Sequence, residues 1–165
     1  MLTVERYHDF SAAHRAVTDL GPCHQIHGHN YRVTFTFASL VPPVPGASNR
    51  IIDFGMIKAL FVNWLEKEWD HKCLVWEEDP FYKEYVSLWN DFRFYEYETD
   101  TYPTIRNLLK ESIAVVPFET SVENMAAYLH EAIGPRLLLQ LNVKLVRVRV
   151  EETRKCSATS FSEGF

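Results

Sequence analysis

Two periods organise the apolar and polar positions of this chain. Alternation with period two, the mark of a strand with one buried face, runs through residues 2–14, where Val4, His8, Phe10, Ala12 and His14 fall on one side. It returns over residues 29–40, in a segment that opens as early as Gln25, and again from Lys144 to Thr153. In that last strand Val146, Val148 and Val150 share a face with Glu152, while Arg147, Arg149 and Glu151 share the other. A spacing of three and four residues, the mark of a helix with a buried stripe, joins Phe54, Ile57, Leu60, Phe61, Trp64 and Leu65. Asp53 stands where it can cap that helix, which ends near Trp69-Asp70-His71. A second helix is predicted from the capping box Thr120-Ser-Val-Glu123, with Met125, Ala126, Leu129 and Ile133 as its stripe and Gly134-Pro135 as its stop.

The connector Val41-Pro-Pro-Val-Pro-Gly46 fits neither period and reads as a loop. Residues 77–118 are a longer interruption. Phe81, Tyr85, Leu88, Trp89 and Phe92 are helically spaced, and Ile105, Leu108, Leu109 and Ile113 form a weaker stripe, which predicts an inserted, largely helical segment. With 165 residues, 47% of them hydrophobic, the chain has material for one core and too little for two. Strands and helices together therefore predict a single α+β domain over residues 1–165.

Charge and cysteine usage narrow the class. A formal charge of −5 without any basic run argues against a nucleic-acid or anionic-membrane partner. The first residues carry charge where a signal peptide would be apolar, and no window has the length of a membrane span. Three cysteines without framework spacing point to a reducing compartment, the cytoplasm by default. Cys73 and Cys156 read as chemically inert.

The histidines change the picture most. His27 and His29 share one face of a strand, their Cα atoms roughly 6–7 Å apart, close enough for both imidazoles to reach one ion. Gly28 between them faces the other way. Antiparallel pairing of the first two strands, joined by the loop from Arg15 to His24, brings His14 opposite this pair. Three neutral imidazoles around a tetrahedral Zn²⁺ leave the fourth position open, the pattern of catalytic zinc. Two other readings stand beside it: a set of ordinary histidines, and a closed structural site completed by Cys23. A cupin-type site would need a glutamate shortly downstream, where Val33 and Thr34 stand. Glu152 ends an apolar face, where a lone carboxylate is costly unless it binds something or reaches water. Asp70-His71 reads either as a functional pair or as a helix end with a dipole-compensating histidine.

Taken together, Phe10-Ser-Ala-Ala-His14, Cys23-x₃-His27-Gly-His29, Ile52-Asp-Phe54 with Lys58, Trp69-Asp-His71, Thr120-Ser-Val-Glu-Asn124 and Val150-Glu-Glu-Thr153 resemble the tetrahydropterin synthase family. That family includes 6-carboxy-5,6,7,8-tetrahydropterin synthases of queuosine biosynthesis and 6-pyruvoyl-tetrahydropterin synthases. The resemblance implies zinc held by His14, His27 and His29, a catalytic thiol at Cys23 with Asp70 and His71 completing its proton relay, and Glu152 gripping the guanidine-like edge of a pterin. It implies a tunnelling fold, a four-stranded antiparallel sheet with two helices on one face, assembled into homotrimers or hexamers with interfacial sites. The C-x₃-H-G-H spacing resembles the carboxy-forming branch, whose members convert 7,8-dihydroneopterin triphosphate to 6-carboxytetrahydropterin, acetaldehyde and triphosphate. The pyruvoyl branch has two more residues between thiol and histidines. A 6-pyruvoyl synthase and a non-catalytic pterin- or zinc-binding relative are the alternatives. Departures from the family pattern are Trp69 and Val75 in the Asp-His motif, the missing proline before Glu123, and residues 77–118. Arg15, Lys72, Arg154 and Lys155 are the basic residues available for a triphosphate.

Overall fold

In a computed structural model of the chain, residues 2–84 and 111–164 are described. Strand β1 (Thr3–His14) pairs antiparallel with β2 (His27–Ser39) along their length, from Thr3 opposite Ala38 to His14 opposite His27. This register fixes a face. Val4, His8, Phe10, Ala12 and His14 lie on one side with Phe37, Val33, Tyr31, His29 and His27, as the alternation predicted. Strand β5 (Val143–Glu151) pairs antiparallel with the other edge of β2, and β6 (Ser157–Phe161) pairs antiparallel with β5. Beyond β1 lie β3 (Lys72–Trp76) and β4 (Ile113–Val116), both parallel to their neighbours.

The sheet therefore has six strands in the order β4-β3-β1-β2-β5-β6 and is mixed. This corrects the four-stranded antiparallel description. The two parallel strands, Lys72–Trp76 and Ile113–Val116, are too short to carry an alternation that would mark them in the sequence. A bulge corrects the parity of β5. Thr36 pairs with Arg147 but Phe37 with Leu145, so Val146 is an extra residue and the pattern counted back from Glu152 fails there.

Helix α1 covers residues 54–68, as Phe54–Ile57, a wider five-residue turn over Lys58–Val62, and Asn63–Glu68. Asp53 caps it, its Oδ1 accepting from the Gly55 amide at 2.8 Å. Ile57, Phe61 and Leu65 turn inward, whereas Phe54 is exposed. Helix α2 covers residues 122–137, as Val122–Tyr128, a wider turn over Leu129–Ile133, and Gly134–Leu137. Its N-cap is Ser121, whose Oγ accepts from the Asn124 amide at 3.3 Å, so the predicted cap is shifted by one. The Thr120 hydroxyl instead donates to the Arg15 carbonyl at 2.8 Å. Pro135 does not end the helix. The widened turn before it displaces the carbonyl that its ring would meet in a regular helix. Gly134 is dictated by packing, since a Cβ there would lie 2.5 Å from Leu145 Cδ2. Both helices join one core with Tyr31, Val33, Phe35, Phe37, Val148 and Val150.

The opposite face of the sheet is polar. Arg32 donates twice to Asp9 at 2.7 and 2.9 Å, Arg147 pairs with Glu5, and Arg149 lies 3.6 Å from Glu151. Of the predicted insert, residues 77–84 and 111–118 are described. Asp79 is buried and accepts from the Phe81 amide at 2.8 Å, opening a helical turn over residues 80–84. Ile113 lies in β4 and not on a helical stripe. The stripes between Tyr85 and Leu109 lie outside the described residues. No helix among the described residues is long and apolar enough to cross a membrane.

Candidate active site

The last residue of β1 and the first and third of β2 converge at one end of the sheet. Pairing of His14 with His27 and of Ala12 with His29 sets the three imidazoles side by side, with ring centroids 4.6, 4.9 and 5.3 Å apart. One ring nitrogen from each lies within 4.8 Å of the other two. Gly28 permits this approach, because a Cβ there would lie 3.2 Å from the Ala12 carbonyl oxygen. On two of the three rings the other nitrogen is already engaged. His14 Nδ1 is 2.6 Å from the Thr120 carbonyl oxygen and His27 Nδ1 is 2.8 Å from that of Gln25. A carbonyl only accepts, so Nδ1 carries the hydrogen and Nε2 presents a lone pair. The Nε2 atoms of His14 and His29 are buried with no hydrogen-bond partner.

Buried acceptors without partners are costly. A cation among the three imidazoles satisfies them, and the donor set is the one zinc takes in catalytic centres. Burial holds the His14 and His29 imidazoles below the usual histidine range, which keeps them in the neutral form a metal needs. The closed four-ligand reading has no support in the geometry, since Cys23 is exposed and does not belong to the cluster.

Glu152 lies one residue past the end of β5, its Oε1 3.3 Å from His14 Nε2 and 3.5 Å from His29 Nε2. It also lines a cleft of about 720 Å³ with Asp70, His71, Asn30, Arg32 and Arg154. Asp70 and His71 form the pair expected from the sequence, Nδ1 to Oδ2 at 2.9 Å. Asp70 Oδ1 also accepts from the Ser11 amide at 2.9 Å, and the His71 amide donates to the Ser11 carbonyl at 2.7 Å. These bonds fix the turn from α1 into β3, at which His71 takes a left-handed φ of 58°. Burial raises the Asp70 carboxyl, but the Ser11 amide and His71 outweigh it and hold the group below its usual range. The His71 side chain is 84% exposed.

Cys23 sits on a three-residue turn, Pro22–His24, in the loop between β1 and β2. That loop is tied down by Thr18, whose amide and hydroxyl donate to Glu119, and by a bond from the Ala16 amide to the Cys23 carbonyl. Desolvation, then the charge and hydrogen bond of Asp19, push the Cys23 thiol up. The charges that act on the thiol within the chain are those of Asp19 and Glu152. Two of the basic residues considered for a triphosphate are engaged elsewhere: Arg15 lies 3.1 Å from the buried Asp79, and Lys72 donates to the Lys67 carbonyl at 2.6 Å. Sequence reasoning missed Tyr31. It lies two positions beyond His29 on the same face, with its ring centroid 5.6 Å from that of His29 and 6.0 Å from that of His14.

The family model for 6-pyruvoyl tetrahydropterin synthase matches residues 3–163. The 6-carboxy-5,6,7,8-tetrahydropterin synthase of Rickettsia typhi is 26% identical over 156 residues, covering 94% of this chain and 97% of that protein. The Rickettsia conorii protein of the same name is 24% identical with the same coverage. Among solved structures, an uncharacterized protein of Wolinella succinogenes superposes with a TM-score of 0.77 at 22% identity, covering 98% of each chain. The Caenorhabditis elegans 6-pyruvoyl tetrahydropterin synthase superposes with a TM-score of 0.62 at 22% identity, covering 98% of this chain and 96% of that one. These two likenesses establish the fold. With nearly the whole length matched by the family model and the histidine cluster in place, the chain belongs to the 6-pyruvoyl tetrahydropterin synthase family.

Proposed function

We propose that this protein is a zinc-dependent lyase that converts 7,8-dihydroneopterin triphosphate and one water to 6-carboxy-5,6,7,8-tetrahydropterin, acetaldehyde and triphosphate. The observation that carries the reading is the convergence of three imidazoles, His14, His27 and His29, beside the Glu152 carboxylate, which lies 3.3 and 3.5 Å from His14 and His29. The Cys23-x₃-His27 spacing and the names of the Rickettsia relatives support the carboxy-forming branch. Zinc held by His14, His27 and His29 supplies Lewis acidity that polarises the hydroxyls of the substrate side chain. Glu152 accepts a pair of N–H groups from the pterin edge, a charge-assisted bidentate contact that orients the ring. Cys23 moves a proton at the side-chain carbons, and His71, oriented by Asp70, exchanges that proton with the thiol.

Within one chain Cys23 and His71 are both exposed, and the charges acting on the thiol are those of Asp19 and Glu152. We therefore assign their meeting to contact between subunits of a homo-oligomer. Mixing an inactive Cys23→Ala protein with an inactive His71→Ala protein, then reassembling them, should restore a fraction of the activity. Cys23→Ala alone should lower turnover by about 10²–10⁴ with zinc content unchanged. Loss of metal in that variant would return Cys23 to the ligand set.

Mass spectrometry of the products from zinc-loaded protein is the deciding measurement. A 6-pyruvoyl product without acetaldehyde would move the chain to the other branch. No turnover of the triphosphate would favour a binding protein.

A further inference from the structure

Tyr31 is fully buried, yet its hydroxyl has no hydrogen-bond partner. Phenylalanine would supply the same packing: the ring stacks on Phe10 at 5.2 Å and meets His14 and His29 edge-on. The oxygen adds only cost in this state, typically about 1–3 kcal/mol for an unsatisfied buried group. Its neighbourhood names the acceptor. The last β2–β5 pair is Arg32 with Glu151, and Tyr31 and Glu152 each adjoin it; both reach the histidines, the Tyr31 ring against His14 and His29 and Glu152 Oε1 at 3.3 and 3.5 Å from their Nε2 atoms. A tyrosine hydroxyl carries its own hydrogen and can donate it to that carboxylate. The Glu152 Oε1 is turned toward the Nε2 atoms of His14 and His29.

We propose that Tyr31 is a positioning residue whose hydroxyl donates to Glu152 once the site is occupied, fixing the carboxylate in the orientation that receives the ligand. With a cation among the imidazoles and N–H donors on one side of the carboxylate, the phenol supplies the remaining hydrogen bond, and no buried donor is left over. The inference deepens the functional reading above, on which its ligand rests. The Tyr31–Glu152 contact is testable without that ligand.

The test uses full-length protein carrying Tyr31→Phe, Glu152→Ala or both, with and without zinc. In metal-free protein Tyr31→Phe should melt at the wild-type temperature or above it, because an unsatisfied hydroxyl is removed. In zinc-loaded protein Tyr31→Phe and Glu152→Ala should each lower the melting temperature, and the double variant should lower it no further than the larger single effect. Zinc stoichiometry should remain at the wild-type value in Tyr31→Phe. With 7,8-dihydroneopterin as the probe, Tyr31→Phe should raise the dissociation constant about tenfold, with Glu152→Ala raising it more. Destabilisation of the metal-free protein by Tyr31→Phe, or additive effects in the zinc-loaded double variant, would overturn the proposal in favour of a packing role. Failure of wild-type protein to bind 7,8-dihydroneopterin would remove the pterin reading, and the zinc-loaded melting cycle would still decide the contact.

Discussion

His27, His29 and Tyr31 at one end of β2, and Val33, Phe35 and Phe37 at the other, point to the same side of the sheet, yet the two ends are built on opposite terms. At the closed end Phe35 and Phe37 meet Phe61 of α1 with ring centroids 4.9 and 5.1 Å apart, and all three are essentially inaccessible. At the open end the inward face carries polar rings. Five buried polar side-chain atoms lack partners among the described residues, and three of them, His14 Nε2, His29 Nε2 and Tyr31 Oη, lie here. Burial of apolar area stabilises the closed end whatever the solution contains. The open end carries polar groups that only an occupant can satisfy, so its share of stability is conditional on what is bound.

The sharpest way to separate the two ends is to damage each alone. Phe35→Ala leaves a cavity at the closed end and should cost about 3–5 kcal/mol, equally in metal-free and zinc-loaded protein. Chemical denaturation with and without zinc measures it. A cost that depended on zinc would mean the two ends share one cooperative unit of packing and that the division above is wrong.

His27→Ala should do the reverse. The ring is only partly buried, so metal-free stability should fall by less than about 1 kcal/mol. Stabilisation by added zinc should disappear. For a wild-type site saturated a thousandfold above its dissociation constant, that stabilisation amounts to about 4 kcal/mol. Zinc bound one to one in His27→Ala, measured by elemental analysis, would remove the three-histidine assignment.

The division was partly legible in the sequence, for reasons specific to each element. Parity along β1 and β2 needs no tertiary information, so it placed His14, His27 and His29 on one face, and parity along the last strand put Glu152 at the end of its apolar face. The same count reached Tyr31. Its significance was invisible, because an unsatisfied hydroxyl is a property of packing and not of pattern. The β5 bulge at Val146 and the parallel pair β3 and β4 escaped for a different reason. A bulge breaks the period on which the count rests, and short apolar runs such as Cys73-Leu-Val-Trp76 have no period at all. The cap of α2 moved from Thr120 to Ser121 because Thr120 is engaged with β1 and its following loop, its carbonyl on His14 and its hydroxyl on Arg15. A local motif yielded to the site it supports. The proposed Cys23 relay was not legible within one chain, where the thiol is exposed near Asp19 while His71 pairs with Asp70.

A smaller effect tests whether the closed end is as indifferent to conditions as its packing suggests. His130, on the widened turn of α2, is buried there. Its Nε2 lies 3.2 Å from the Leu145 carbonyl oxygen and 3.1 Å from Ser162 Oγ, and its Nδ1 lies 2.8 Å from Ser160 Oγ. Because the carbonyl only accepts, Nε2 carries the hydrogen and the neutral ring is the form that fits. Burial, with a lesser contribution from Lys144, holds the imidazole below its ordinary value of 6.5 against the opposing Leu145 carbonyl and Glu131. A depressed histidine contributes stability that is fully present above pH 6.5. That stability is lost as the pH falls toward the folded-state value, because the unfolded chain takes up a proton that the folded one refuses. One such group gives a slope of no more than about 1.4 kcal/mol per pH unit. His14 and His29 contribute with the same sign in metal-free protein, so the informative quantity is the difference between wild type and His130→Asn, both metal-free. That difference should be constant above pH 6.5 and shrink below it, as followed by denaturant midpoints across the pH range. Parallel curves for the two proteins would mean that His130 titrates alike folded and unfolded, and would leave acid sensitivity to the open end alone.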